Sequence, residues 1–453
     1  MKTTLQLTLL AAALAAGAIA TAPLSYAGPQ DASTAIETER RPVAAFSAIE
    51  LAGPYHVVVD AQAQPELELS GEHKQLADVE TIVRGDTLVV RPVQRNGFFL
   101  NFGKRHETVT VRIGAAGLKR LTNAGSGDVE VDHLGGDRFT LVGTGPGDVS
   151  ASGAVRQLAV ATSGSGDLDL KQLKAADVDL TMNGPGDVRL AGVGNTLAVQ
   201  SGGAGDLEAD GLRVAKATVR MRGPGGVTLS GTSRDLDLDV SGAGDFDGCA
   251  LAVEGAHSVQ HGPGQACIAG NLRRLDAEVD GSGDLAVRGL QAGAAQLRMN
   301  GPGNVRLAGT VGDLTVEVGG SGDLDAAQLR TNKAAVRGHG PGGVTLAQVS
   351  DTLDADLRGS GGIDAHLAAK RLLLRMSGPG DAHIDGTVAQ VDAQLSGSGS
   401  LDGRGLTATH ADIVVHGPGT ASVNVDDRGR TVAKTVGRGQ LLLVDRSGPH
   451  ADR

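Results

Sequence analysis

A Gly-x-Gly turn recurs sixteen times between residues 125 and 419, at intervals of 19 or 20 residues. Its middle residue alternates strictly between Ser or Ala and Pro. A fixed period of this length is typical of a solenoid, in which each repeat buries its apolar face only by stacking on the next. The glycines and aspartates that we interpret as structural turn residues in the first four turns are Gly125, Gly127, Asp128, Gly145, Gly147, Asp148, Gly164, Gly166, Asp167, Gly184, Gly186 and Asp187.

The residues between turns alternate between apolar and polar with the period of a β-strand. Val178–Met182 is typical, and no segment shows a sustained helical period. Strands separated by one full coil are parallel, and crossovers between parallel strands prefer the right-handed sense. The sequence therefore predicts an all-β chain, a right-handed parallel β-helix built from 19–20-residue repeats.

The strict alternation of Ser or Ala with Pro adds a superperiod of 39 residues. One coil could contain a single turn, giving 19–20 residues, or two turns, giving 39 residues with like turns stacked on like. The spacing is compatible with both alternatives, and we favour the shorter coil. The sequence offers no role for the alternating Pro.

The N-terminus has the pattern of a secretory signal peptide at residues 1–27. Lys2 is followed by an apolar stretch and then by the small-residue cleavage site Ser25-Tyr26-Ala27. No later stretch is long or apolar enough to span a bilayer, so we expect no transmembrane helix in the mature chain. The pattern predicts an exported protein that resides in the periplasm, at the cell surface or in the medium.

Four further segments follow the signal peptide. Residues 28–45 are polar and predict a flexible lead-in, and residues 46–122 predict an irregular β section that caps the solenoid. The Gly-x-Gly repeats occupy 123–425. Residues 426–453 form a predicted C-terminal cap and tail, because the apolar run Leu441-Leu442-Leu443-Val444 could cover the open end.

Composition excludes some partners. The formal net charge is −11 and the acidic residues are dispersed, which argues against nucleic acid and anionic membranes as partners. The chain has no Trp, 2 Tyr and 6 Phe, so its core must be built mainly from Leu, Val and Ala. We expect no cofactor, and an unknown surface, protein or glycan as the ligand.

Cys249 and Cys267 are the only cysteines. Export permits a disulfide between them. Their positions after their respective turns differ by about two residues, which would place them on a diagonal that is long for a bridge. A disulfide and two free thiols both remain open, and we favour the free thiols.

An Asp directly follows nine of the sixteen turns. A column of carboxylates could bind Ca²⁺ weakly, but the spacing does not match the nine-residue repeats of calcium-binding β-rolls. We favour a structural role, because Asp commonly accepts hydrogen bonds from turn backbone N–H groups. The nine residues are Asp128, Asp148, Asp167, Asp187, Asp206, Asp245, Asp284, Asp323 and Asp381.

Two other motifs have a simple structural explanation. His261, His339 and His416 precede Pro-type turns, but either coil length separates them by far more than a zinc site allows. Arg84-Gly85-Asp86 matches an integrin-recognised tripeptide, yet it lies in a predicted hairpin turn where Gly-Asp is expected. We interpret both motifs as turn positions.

Three aromatic residues lie close together in a chain that has few of them. Phe98, Phe99 and Phe102 fall within five residues, flanked by basic residues. They could form a contact with a partner, since exposed apolar clusters mark interfaces. The alternative, which we favour, is that they plug the end of the solenoid core.

Three segments together resemble a bacterial family, the "putative auto-transporter adhesin, head GIN domain" proteins. They are Phe46–Gly53, the charged strand Glu66–Leu69 and the Gly-Ser-Gly-Asp-Val run at 125–129. The resemblance implies an exported β-helix of the cell envelope, and it defines no catalytic or binding residues. The Pro in every second turn departs from the usual motif of the family.

Three functions are compatible with these patterns. A non-enzymatic envelope protein with an adhesin-like or scaffolding role agrees best with the regular repeat and the signal peptide. A periplasmic assembly or sensor protein is the alternative. A polysaccharide-active enzyme is less favoured, because it needs a cleft built by inserted loops with clustered acids and bases. No interval between turns leaves room for such an insertion.

Overall fold

In the computed structural model of the chain, the described residues are 36–93, 109–436 and 439–445. They form a β-solenoid of about 16 turns with parallel strands, which confirms the all-β parallel solenoid that the repeat predicts. The N-terminal elements are β1 Ile36–Arg40, β2 Ala48–Leu51, β3 His56–Asp60, β4 Glu66–Glu72, α1 His73–Leu76, β5 Val79–Arg84, β6 Thr87–Pro92, β7 Thr110–Gly114 and β8 Arg120–Asn123.

One strand or a pair of strands then fills each coil between successive turns. These strands are β9 Val129–Gly143, β10 Val149–Thr162, β11 Leu168–Met182, β12 Val188–Ala191, β13 Thr196–Ser201, β14 Leu207–Met221, β15 Val227–Val240, β16 Phe246–Gln260, β17 Ala266–Val279, β18 Leu285–Met299, β19 Val305–Val318, β20 Leu324–Gly338, β21 Val344–Leu357, β22 Ile363–Met376, β23 Ala382–Leu395, β24 Ser400–His416, β25 Thr420–Val436 and β26 Gln440–Asp445.

The pairing register fixes the length of the coil. Val149 of β10 pairs with Val129 of β9 on one side and with Leu168 of β11 on the other, always in parallel. Each separation equals one turn interval rather than two. The structure therefore has the shorter coil, which the sequence favoured without excluding the longer one.

Each coil has three inward-facing runs separated by two corners. In β15 the buried residues are Val227 and Leu229 in the first run, Ser233 in the second, and Leu236, Leu238 and Val240 in the third. The period-2 alternation breaks where the chain rounds a corner. Stacked coils thus align their buried side chains into columns, and these columns form a single continuous core.

The 39-residue superperiod arises at the first of these corners. Ala209 of β14 pairs with Leu229 of β15, and Leu212 pairs with Gly231, so two residues of β14 lie opposite the single residue Ser230. The coil after a Ser or Ala turn therefore generally has one residue more than the coil after a Pro turn. The coil that follows the Ser turn at 359–361 lacks this extra residue, and its strand β22 pairs with β23 without a register shift.

The turn glycines allow the coils to stack closely. A Cβ atom built on Gly184 would overlap the carbonyl oxygen of Gly164 in the preceding coil, and one built on Gly186 would overlap that of Gly166. The residue between the two glycines is exposed, as Pro185 is. Ser, Ala and Pro all fit there because the side chain at this position points away from the neighbouring coils.

The N-terminal section stacks out of sequence order. Strand β2 lies between β6 and β8, and β3 lies between β7 and β9, all in parallel. Three strands then cover the outer edge in antiparallel pairing, with β5 on β6, β4 on β7 and β1 on β4. The parallel stack of this section therefore ends on antiparallel strands.

Strand β1 lies inside residues 28–45, for which the sequence predicts a flexible lead-in. All five of its side chains are exposed, so no apolar alternation marks it as a strand. Its pairing with β4 is supported by the Arg40–Glu68 ion pair at 3.0 Å and a hydrogen bond at 3.0 Å between the hydroxyls of Thr38 and Ser70. These cross-strand partners are far apart in the sequence, beyond the reach of a local pattern.

The predicted C-terminal segment 426–453 begins within β25. Strand β26 pairs in parallel with the first residues of β25, where Leu441 is half-buried against the core and Leu442 is 57% exposed. The predicted signal peptide at 1–27 and the aromatic cluster Phe98, Phe99 and Phe102 lie outside the described residues.

Candidate functional site

The first side of each coil, directly after the Gly-x-Gly turn, carries polar side chains that repeat from coil to coil. We call the nine aspartates immediately after the turns the aspartate ladder, from Asp128 to Asp381. Two residues further on, a second outward column follows the same side, and it includes Arg189, Glu208 and Asp247. Both columns run parallel to the solenoid axis because each residue stacks on its equivalent in the next coil.

The aspartate ladder joins each coil to the next. In all nine aspartates, Oδ1 accepts the backbone N–H of the equivalent residue in the following coil, at 2.7–3.3 Å. Asn304, which replaces Asp at one position, accepts the N–H of Asp323 in the same way at 3.0 Å. The hydrogen bond therefore needs a carbonyl-type oxygen at this position, and it does not need a negative charge.

This arrangement specifies what the ladder can do chemically. One carboxylate oxygen of each Asp is already engaged by backbone, and neighbouring carboxylates repel by about 1 kcal/mol in water at their stacking distance. The N–H groups offset that repulsion, since a hydrogen bond to a charged acceptor contributes about 1.5–3 kcal/mol. A structural role accounts for the ladder without a bound cation.

A shallow groove lies between the columns on the first side, over the coils that contain residues 187–247. Its charged residues are mostly acidic, with one guanidinium group among them: Arg189 lies 3.8 Å from both Asp167 and Asp187. Beside it, Lys171 Nζ of β11 reaches Glu208 of β14 at 3.1 Å. The charged residues that line the groove are Asp187, Arg189, Asp206, Glu208, Asp245 and Asp247.

The other outward surfaces carry ion pairs between coils that the sequence interpretation missed. Asp354 lies 3.1 Å from Arg337 of the preceding coil and 3.5 Å from Arg375 of the following coil. Lys216 lies 3.7 Å from Asp237 in the same manner. The signal was available, because opposite charges recur at about one turn interval, but it becomes meaningful only once the coil length is known.

Charged partners lower the pKa of two carboxylates, and burial raises that of one tyrosine. A hydrogen bond and charge from Lys370 lower the pKa of Asp351, and three hydrogen bonds from Arg404, two from its side chain and one from its backbone, hold the pKa of Asp402 far below its usual range. In the N-terminal section, burial raises the pKa of Tyr55 to about 12. The carboxylates of Asp351 and Asp402 therefore stay ionised at neutral pH. An ionised carboxylate can form ion pairs and bind cationic groups, but it cannot donate a proton.

The two cysteines meet where the first side of the solenoid ends. The structure joins Cys249 of β16 to Cys267 of β17 as a disulfide, with 5.3 Å between their Cα atoms. Asp247 pairs with Cys267 in the strand register, so Cys249 is offset by two positions, as the sequence indicated. The register shift that begins after Gly248 turns the chain at this point. The turn brings Cys249 closer to Cys267 than the sequence interpretation expected, and a bridge becomes possible.

The remaining sequence motifs lie apart from this side. His261 Nδ1 contacts Asp280 of the next coil at 3.4 Å, and the three predicted turn histidines occupy coils too distant to share a ligand. Gly85 and Asp86 form the turn between β5 and β6, where the Asp86 carboxylate accepts the Ser47 hydroxyl at 3.0 Å. The Arg84-Gly85-Asp86 tripeptide is thus part of a hairpin whose aspartate is bound internally.

Comparison with known proteins places the chain in a family. The sequence profile of the family described as "Putative auto-transporter adhesin, head GIN domain" matches residues 45–245, 218–289, 269–365 and 349–443. These segments together cover most of the chain. The chain therefore belongs to this family, as the sequence resemblance indicated. No curated protein sequence matches the chain.

Solved structures of similar proteins include two from the genera Parabacteroides and Bacteroides. A protein from Parabacteroides distasonis ATCC 8503, called a putative lipid binding protein, is 16% identical, covers 64% of this chain and 96% of its own, and has a TM-score of 0.34. A putative adhesin from Bacteroides fragilis NCTC 9343 is 17% identical, with coverages of 65% and 97% and a TM-score of 0.27. With TM-scores below 0.5, these likenesses carry no conclusion about this chain.

The described part of the chain contains no helix that is long and apolar enough to cross a membrane. Its one helix, α1, has four residues.

Proposed function

We propose that the chain is a non-enzymatic, exported protein of the cell envelope whose solenoid serves as an adhesin-like or scaffolding surface. The observation that carries the proposal is the unbroken series of 19–20-residue coils. A catalytic cleft on a β-helix requires loops inserted between coils, and the repeats leave no room for them between residues 125 and 419. Membership of the adhesin-described family and the predicted signal peptide support the same assignment.

The first side of the solenoid is the surface that best fits a ligand. Its columns repeat at about 4.8 Å, the spacing of stacked strands, so a ligand with repeated polar groups could make the same contact many times. Many weak, equivalent contacts along one rigid body give a high avidity without a deep pocket. The groove lined by Arg189 and Glu208 presents both charge signs and hydrogen-bonding groups to a polar surface, protein or glycan.

The location of the protein provides the first test. An epitope-tagged copy is expressed in the native bacterium, protease is added to intact cells, and the medium is assayed in parallel. Cleavage on intact cells, or release into the medium, is expected for an adhesin-like protein. Complete protection until the outer membrane is permeabilised would contradict adhesion and would support a periplasmic assembly or sensor role instead.

The binding surface provides the second test. The variant Arg189→Ser, Glu208→Ser, Thr228→Ser changes three outward residues of the second column, and Gln200→Ser, Arg220→Ser, Asp239→Ser changes three outward residues on another side of neighbouring coils. Adsorption of purified protein to immobilised envelope glycans and to whole cells is expected to fall at least about tenfold for the first variant alone. Equal losses, or none, would contradict a ligand surface on the first side.

A further inference from the structure

Three potential metal ligands converge at the first corner of two neighbouring coils. One ligand atom each from Asp247, Cys249 and Cys267 lies within 4.8 Å of the others, and this is the one such group of three among the described residues. Two of the three are sulfur atoms. Asp247 is exposed and both cysteines are half-buried, so the group is open to solvent on one side.

Backbone interactions hold the carboxylate in place. The backbone N–H of Cys249 donates to Oδ1 of Asp247 at 3.0 Å, which orients the carboxylate and leaves its second oxygen unengaged by that bond. Asp247 also lies directly opposite Cys267 in the strand register, at the separation of neighbouring parallel strands. Two of the three ligands are therefore positioned by the sheet itself rather than by flexible loops.

The third ligand lies where the pairing of these two coils is interrupted. After Gly248 pairs with Ile268, the next pair is Ala252 with Ala269, so residues 249–251 of β16 have no paired residue on β17. Cys249 is the first residue of this unpaired run. Its side chain can therefore move without breaking a ladder hydrogen bond. Such a movement is needed if the distance between the two sulfur atoms is to change.

We propose that Cys249, Cys267 and Asp247 form a redox-gated site for a thiophilic divalent cation of the Zn²⁺ type. A dithiol reductant opens the disulfide by exchange: two electrons and two protons pass to the protein sulfurs, and the reductant becomes a disulfide. The cation then replaces the two thiol protons and binds two thiolates and one carboxylate. In the oxidised protein the sulfurs are bonded to each other and the site is closed.

The ligand set defines the class of cation. Thiolates select Zn²⁺ and similar soft or borderline ions over Ca²⁺ and Mg²⁺, which prefer oxygen ligands. Sulfur ligands of a tetrahedral zinc ion lie about 3.8 Å apart, given Zn–S bonds of about 2.3 Å. The opened cysteines must therefore separate from their bonded distance, which the unpaired run at Cys249 permits. The fourth position of the ion faces solvent.

The test uses Co²⁺ as a spectroscopic probe of the full exported chain. The protein is reduced with a phosphine under nitrogen, freed of excess reductant and titrated with Co²⁺, and the near-ultraviolet thiolate-to-cobalt absorption is recorded. We expect saturation at one equivalent and loss of the band when Zn²⁺ is added. The unreduced protein is expected to give no band. Absence of the band from the reduced, folded protein would overturn the proposal.

Matched variants locate the ligands. Cys249→Ser and Cys267→Ser are each expected to abolish the absorption, and Asp247→Asn to weaken Co²⁺ binding by about tenfold or more. Asp245→Asn, a change of the same kind two residues earlier on the aspartate ladder, is expected to bind Co²⁺ like the unaltered chain. Equal affinities for Asp247→Asn and Asp245→Asn would contradict the carboxylate ligand.

The fold of the reduced protein is a separate control. Far-ultraviolet circular dichroism of the reduced chain and of the Cys249→Ser, Cys267→Ser variant is expected to retain the β-sheet signal, because the disulfide closes only one of many coil interfaces. If reduction unfolds the solenoid, no preformed site exists and the proposal fails. The proposed binding surface is tested by adsorption and does not depend on this outcome.

Discussion

Glycine serves different purposes in the N-terminal section and in the solenoid turns. Gly85 and Gly117 have φ of +65° and +77°, and a Cβ atom on either would contact nothing within 4 Å. Gly164 and Gly184 do not have a left-handed backbone, yet a Cβ on either would overlap a carbonyl oxygen of the preceding coil. The first pair needs the conformational freedom of glycine, and the second needs its lack of a side chain.

This contrast explains why one region is regular and the other is not. A turn that must approach its neighbour within backbone contact distance can contain only glycine at two positions, so every coil repeats the same motif. In the N-terminal section the stack ends on antiparallel strands, and larger side chains such as Phe46 and Tyr55 fill the core instead. Nothing there requires a repeat, so the sequence is free to vary.

The largest expected effect comes from a side chain added to a turn. Gly184→Ala places a methyl group against the Gly164 carbonyl, and we expect a loss of about 3 kcal/mol or more in unfolding free energy, because overpacking displaces backbone. Gly117→Ala should cost only about 1 kcal/mol, from its left-handed φ. Chemical unfolding followed by circular dichroism compares the two. Similar costs would show that the turns do not restrict backbone approach.

Gly293 offers a matched control within the solenoid. It lies at an outward position where an added Cβ contacts nothing within 4 Å, and its backbone is not left-handed. Gly293→Ala is expected to leave the unfolding midpoint nearly unchanged. A large loss for this variant would indicate that any added methyl group destabilises the repeats.

The disulfide is expected to stabilise the fold at the interface of β16 and β17, where the backbone hydrogen-bond pairing is interrupted. Cys249→Ser with Cys267→Ser should lower the unfolding free energy by about 2 kcal/mol, because the cross-link no longer restricts the unfolded chain. The unaltered chain should lose the same amount when a reductant is added in the absence of metal. The double variant should not respond to the reductant, and a response would assign the effect to another cause.

A smaller effect is expected from the aspartate ladder. Asp206→Ala removes the acceptor of the Gly226 N–H at 2.7 Å, at an expected net cost of about 1 kcal/mol, because the lost hydrogen bond is partly offset by relief of the repulsion from Asp187. Asp206→Asn should cost less, because Asn304 makes the same bond with an amide oxygen elsewhere along the column. The two variants are compared by chemical unfolding. If Asp206→Asn were the more damaging, the negative charge rather than the hydrogen bond would be the stabilising feature.

The smallest effect concerns Tyr55 in the N-terminal section, and it is spectroscopic. Without residues 1–27 the chain has Tyr55 as its single tyrosine, so the near-ultraviolet phenolate absorbance reports on it alone. Burial raises its pKa to about 12, so titration should occur well above pH 10 in the folded chain. In urea the same group should titrate near pH 10. Titration near pH 10 without urea would contradict its burial.

Because the pKa of Tyr55 is raised in the folded state, the free energy of unfolding is expected to fall at high pH. The folded state favours the neutral phenol, so its contribution is fully present below pH 10. That contribution is lost as the pH rises from 10 towards about 12. Tyr55→Phe should remove this alkaline dependence, and the turns of the solenoid, which contain no tyrosine, should not contribute to it.

The sequence by itself determined the solenoid, its β-strands and its turns. Apolar and polar residues alternate with a period of two wherever one face of a strand is buried. The Gly-x-Gly motif marks the points where the coils touch. Both signals are local in the sequence. Even the superperiod is present in the chain, as two alternating turn intervals. The family resemblance also rested on local motifs, namely the Gly-Ser-Gly-Asp-Val run at 125–129 and two short segments that precede the repeats.

Tertiary structure decided everything that depends on which segments pair. The coil length, the place of the wholly exposed strand β1, and the ion pairs between coils each join residues that only the stacking register brings together. The same holds for Asp247, Cys249 and Cys267, where a register shift beside Gly248 converts a long diagonal into a contact. Local patterns specify how each strand faces the core, whereas the neighbour of each residue is set by non-local hydrogen bonds.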